Sequence, residues 1–82
     1  MPAEILAFPL ARRAGFIRNQ AARYLDLTPR GAESNLDHQL GLQRQTLLRK
    51  EIDPVVVERE VHALEQAIRN ELVRVRFEGV GG

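Results

Sequence analysis

The chain is 82 residues long, has no cysteine and carries a formal net charge of +1. That length allows one small domain with a thin core, and the missing thiols exclude a disulfide frame, a thiolate nucleophile and a cysteine-based zinc site. The near-neutral total hides an asymmetry: residues 1–50 hold eight basic residues against four acids, a net of +4, while residues 51–82 hold four against seven, a net of −3, a pattern that concerns partners or self-association and not chemistry.

The apolar run Ile5 to Ala11 is too short to span a membrane. Glu4 precedes it where a signal peptide needs basic residues, and Arg12-Arg13 follows it. We expect flexible residues 1–4, a short extended N-terminal arm, no targeting segment, no membrane association and a cytoplasmic protein.

A first helix is expected over about 9–26. On a wheel of roughly 100° per residue, Leu10, Ala14, Ile17, Ala21, Tyr24 and Leu25 form one apolar stripe. Phe16 lies off it, among Arg12, Asn19, Gln20 and Arg23. No acid occurs between Glu4 and Asp26, whereas Arg12, Arg13, Arg18 and Arg23 do. An aromatic side chain among arginines on a polar face reads as a contact surface. Ala11, Gly15 and Ala22 form a small-residue strip that would let another helix approach closely.

Leu27-Thr28-Pro29 and Ile52-Asp53-Pro54 repeat one piece of punctuation: an apolar residue, an N-cap oxygen, then a proline whose missing N–H is not needed in a first helical turn. The second helix, about 29–50, has Ala32, Leu36, Leu40 and Leu47 on one face with polar Gln43 among them. Gly41 sits mid-helix at a cost of order 1 kcal/mol relative to Ala, so we expect a bend there or a close backbone approach. Leu42 and Leu48 lie off the apolar face.

The third helix, about 54–76, has the strongest periodicity: Val57, Val61, Leu64, Ile68, Leu72 and Val75 recur in one narrow stripe. Ile52 and Val57 stand at hydrophobic-staple positions, and Glu65 with Arg69 forms an i,i+4 pair in the better orientation. Residues 73–77 also alternate with period 2 and could pair as a strand with residues 5–8, but the helical stripe already includes Leu72 and Val75, which favours helix. Residues 79–82 read as a frayed tail. The architecture expected is all-α and single-domain: an antiparallel hairpin of helices 2 and 3, with helix 1 packed across it and its basic sides near Glu60 and Glu71.

Little in the chain suggests catalysis. Ser34 and His38 are one helical turn apart, but no acid orients the pair and no oxyanion hole is implied. The glycines are scattered and form no phosphate loop. Glu58, His62 and Glu65 share a face of helix 3 and are ligand types for zinc or iron. Arg69, one turn on, would repel a cation, and a face off the core stripe normally faces water. We expect no metal, no cofactor and no enzymatic activity.

What remains is binding. Arg12, Arg13, Phe16, Asn19, Gln20 and Arg23 form the candidate patch for a protein partner, since Phe and Arg are favoured at interface centres. Leu42 and Leu48 are candidates for self-association with a second copy. The alternative use of the patch is nucleic acid: arginine contacts phosphates or guanine edges, Asn and Gln read adenine, and an aromatic stacks on an unpaired base.

The segment Phe8-Pro9-Leu10-Ala11-Arg12-Arg13, the Ile52-Asp53-Pro54 corner and the Glu-rich helix after it resemble a family of short alphaproteobacterial and phage-associated proteins of unknown function. The resemblance covers about Ile5 to Leu72. It implies no activity, but it does imply a bacterial or phage cytoplasmic setting, in which small helical accessory proteins regulate or inhibit a larger partner.

Overall fold

The structure, a computed structural model, describes residues 9–81. The expected N-terminal arm and the flexible residues 1–4 lie outside the described residues. So does Phe8, where the FPLARR-like motif begins. Among the described residues the chain is all-α: α1 (Ala14–Asp26), α2 (Pro29–Arg49) and α3 (Pro54–Gly81), with a 3-10 turn over Leu10–Arg12 and no strand. Residues 73–77 are helical. α3 runs past the expected end near Arg76 to Gly81.

Side-chain bonds fix the topology. Arg69 pairs with Glu33, and Arg44 with Glu58, so the late part of α3 lies beside the start of α2 and the hairpin is antiparallel. Tyr24 bonds Glu33 and Arg13 bonds Gln43, so α1 also runs antiparallel to α2. α1 packs against both partners, in the cleft they form.

The core follows the period of α3. Val57, Val61, Leu64, Ile68 and Leu72 are all buried, and they meet Leu36, Leu40 and Leu47 from α2 with Leu10, Ile17 and Ala21 from the N-terminal part. Burying each large aliphatic side chain stabilises the fold by about 1.5–3 kcal/mol. Gln43, the polar residue on the apolar side of α2, accepts a 3.0 Å hydrogen bond from the Arg13 guanidinium, which accounts for its place.

Both proline starts are capped. Thr28 Oγ1 accepts from the Gly31 N–H (3.2 Å), and Asp53 Oδ1 from the Val55 N–H (2.8 Å). Between α2 and α3 the chain closes α2 with a Schellman arrangement: the Glu51 N–H donates to Leu48 O (2.9 Å) and the Ile52 N–H to Leu47 O (3.4 Å). Ile52 and Leu47 are both buried beneath this corner. Glu51 itself takes a φ of 61°, the left-handed conformation that usually falls to glycine.

Three local expectations are corrected. α1 begins at Ala14 and not near residue 9, because Leu10 to Arg12 form the 3-10 turn; the Leu10 N–H is held there by Glu60 Oε1 at 3.2 Å. α2 runs unbroken through Gly41, and a Cβ built on Gly41 would meet nothing within 4 Å, so no neighbouring backbone approaches there. The small strip of helix 1 is not a close-packing seam either: Gly15 and Ala22 are exposed, and a Cβ on Gly15 also meets open space.

Candidate functional site

The expected α1 patch divides into two faces. Arg12, Asn19 and Arg23 are exposed, whereas Arg13, Phe16 and Gln20 are half-buried. Phe16 packs against the hydrophobic core, and the Arg13 guanidinium lies over its ring, 5.0 Å from the centroid. Gln20 turns its Oε1 out of solvent, with no hydrogen-bond partner among the described residues. Phe16 is therefore not the wet aromatic the wheel suggested. The buried arc of α1 is rotated toward Phe16 by roughly 50° on the wheel, because α1 sits between two helices and is covered on both sides. Ala14 and Leu25, expected in the stripe, are exposed for the same reason.

The charges sort themselves by helix. Glu58 is bonded to Arg44 of α2, Glu65 to Arg69, and Glu71 and Glu78 to Arg74. Glu33 of α2 is taken by Arg69, and Glu60 holds the Leu10 N–H. The acids of α3 are thus engaged mainly by arginines of α2 and α3. Arg12 of the 3-10 turn and Arg18 and Arg23 of α1 make no ion pair among the described residues. The expected approach of α1 to Glu71 survives only as a nearby charge: the Arg74 hydrogen bonds hold the Glu71 carboxyl below its ordinary pKa, and Arg18 adds a smaller pull. The first turn of α1 has no acid and no side-chain cap, so its free N–H groups add to the positive field.

Beside these arginines an open groove of about 520 Å³ runs between α1 and α3. Ala11, Ala14, Ile17 and Ala67 form its floor, and Arg12, Arg18, Glu71 and Arg74 stand around it. Elsewhere Leu42 and Leu48 are each 43% exposed. They lie about 120° apart around α2 and so do not form one seat. Among the described residues the exposed aromatic is Phe77, at 76%, with Val73 on the same face at 54%. Sequence reasoning missed this pair. The signal was present, since both fall on the side of helix 3 away from its apolar stripe.

At the opposite flank one network ties all three helices. The Tyr24 hydroxyl (α1) donates to Glu33 Oε2 (α2). Arg69 (α3) donates to both Glu33 oxygens, at 2.9 and 3.0 Å, and through Nε to Glu65 at 3.0 Å. The hydrogen bonds from Arg69, then from Tyr24, hold the Glu33 carboxyl at a pKa of about 2. The bond to Glu33, helped by burial, pushes the Tyr24 hydroxyl upward.

No group of three metal-ligand side chains is arranged to hold an ion among the described residues; Glu58 and Glu65 are committed to Arg44 and Arg69. Ser34 and His38 are both exposed on α2. No helix among the described residues is long and apolar enough to cross a membrane.

These features define a class: a small three-helix bundle closed by inter-helix ion pairs, with an arginine-bearing first helix beside an open groove. Across residues 1–81 the chain matches DUF6074, a family of unknown function, and it belongs to that family. No curated protein and no solved structure matches it.

Proposed function

We propose that this protein is a non-enzymatic helical interaction module that binds a protein partner, or a second copy of itself, through exposed faces of its bundle. The observation that carries the reading is that Arg12, Arg18 and Arg23, on two sides of the first helical segment, have no carboxylate partner among the described residues while the glutamates of α3 are engaged. Arginines beside an apolar groove, as Arg12 and Arg18 are, suit an interface, where arginine is enriched and bonds carboxylates in a bidentate fashion. Arg12, Asn19 and Arg23 remain the outward part of the patch; Arg13, Phe16 and Gln20 support it from beneath. Leu42, Leu48 and the Val73–Phe77 pair are the apolar area available to a second copy. The setting proposed is the cytoplasm of a bacterium or a phage-infected cell, with the protein acting as an accessory regulator of a larger partner.

The same arginines favour a second reading, a nucleic-acid-binding accessory regulator. Capture on the immobilised chain from host extract, run in parallel with and without nuclease treatment, separates the two. The first reading expects one protein to be retained, and to be lost when Arg12→Ala and Arg23→Ala are combined. Retention of nucleic acid alone, falling steeply with salt, would replace it with the second.

A further inference from the structure

We infer that the groove between α1 and α3 seats an acidic amphipathic helix of a partner protein. This rests on the binding-module reading above and names the chemistry of the partner at one place. The apolar lining is three alanines, Ala11, Ala14 and Ala67, with Ile17, so a helix carrying an apolar stripe can lie close to it. On one side stand Arg12 of the 3-10 turn and Arg18 of α1, neither of which makes an ion pair among the described residues. On the opposite wall Arg74 and Glu71 are already bonded to each other at 2.5 Å. The charge offered to an incoming segment is therefore the positive charge of α1, and carboxylates flanking an apolar stripe complement it.

Two other occupants fit less well. A nucleic-acid backbone makes no use of an apolar floor. A second copy of the chain has one acidic helix, α3, and its Glu58, Glu65, Glu71 and Glu78 are held in ion pairs of their own fold.

The test uses the full chain, labelled with 15N, and two synthetic helical peptides. One has a Leu/Ala stripe flanked by glutamates; the other carries lysines in place of the glutamates. The glutamate peptide should bind about tenfold or more tightly than the lysine peptide at low salt, with amide shifts centred on Ala14, Ile17, Arg18, Ala67 and Asn70. Combining Arg12→Glu with Arg18→Glu should invert that preference, and Ala14→Tyr should block both peptides. All three positions are exposed, so circular dichroism should be unchanged. Equal binding of the two peptides, shifts centred on α2 or Phe77, or indifference to Ala14→Tyr would overturn the assignment. So would a labelled DNA duplex that displaces the glutamate peptide from the groove. If the peptides fail while nuclease-treated capture still retains a protein, the groove falls and the binding module stands; if both fail, both fall.

Discussion

Arg69 on α3 grips Glu33 on α2 with two roughly parallel hydrogen bonds of 2.9 and 3.0 Å, and Tyr24 of α1 closes on the same carboxylate. One acid thus joins all three helices, with Arg69 reaching it from 36 residues away in the chain. This geometry makes an arginine–carboxylate pair more than a point charge. Most glutamates of α3 are likewise engaged within the fold, while Arg12, Arg18 and Arg23 make no ion pair among the described residues.

Acid should loosen the bundle through Glu33. Its folded pKa, about 2, lies below the ordinary 4.5. The carboxylate therefore contributes stability that is fully present above about pH 4.5 and is lost as pH falls toward 2. The side chain is 46% exposed, so solvent screening reduces the effect to about 1 kcal/mol. Urea unfolding at pH 6, 4 and 2.5 should show this loss, and Glu33→Gln should be less stable at pH 6 and markedly flatter with pH. A Glu33→Gln profile as steep as the wild type would assign the acid sensitivity to other groups.

Tyr24→Phe removes one hydrogen bond to that carboxylate and should cost about 0.5–1.5 kcal/mol. Because Tyr24 and Arg69 share an acceptor, their losses should not add. A double-mutant cycle with Arg69→Met is expected to give a coupling energy of about 0.5 kcal/mol or more. Simple additivity would mean that the two donors act on Glu33 independently.

Two backbone positions invite opposite substitutions. Gly41 lies mid-helix with open space where a Cβ would go, so Gly41→Ala should stabilise by about 0.5–1 kcal/mol. Glu51 holds a left-handed φ of 61°, and Glu51→Gly should stabilise by about 0.5 kcal/mol, the relief of strain exceeding the added chain entropy. Thermal melts of the two variants and of their combination check both, and the distant sites should be additive.

Much of this fold was legible in its residues, and the exceptions have physical causes. Every stripe position of α3 from Val57 to Leu72 is buried, because a long helix with one apolar side has one way to face a core. The two Pro-led starts were legible because an N-cap oxygen and a proline do their work locally. So was Glu65 with Arg69, one turn apart on one helix. The partner of Arg69 on α2 was not, since spacing along the chain does not say which helices will face each other. The orientation of α1 departs from the wheel for two reasons. Leu10, an apparent member of the helical stripe, belongs to a 3-10 turn, and a helix lodged between two others buries a wider arc than a wheel assigns to one apolar side. Arg12 and Arg23 are exposed, while Phe16 is half-buried.

Phe16 tests that reorientation directly. It packs on the core and lies beneath the Arg13 guanidinium, so Phe16→Ala should destabilise the bundle by about 1–3 kcal/mol through lost burial and lost cation–π attraction. Asn19→Ala, on the exposed side of the same helix, should stay within about 0.5 kcal/mol of the wild type. Phe16→Leu keeps apolar volume and loses the ring, and its cost should fall between the two. Guanidinium unfolding of the three variants orders them. If Phe16→Ala unfolds with the wild-type midpoint while a partner is lost, the ring belongs to the interface and α1 sits differently in the cleft. If the expected order holds, partner loss in Phe16→Ala reflects the support beneath Arg13, and the contact itself is made by the arginines that stay outside.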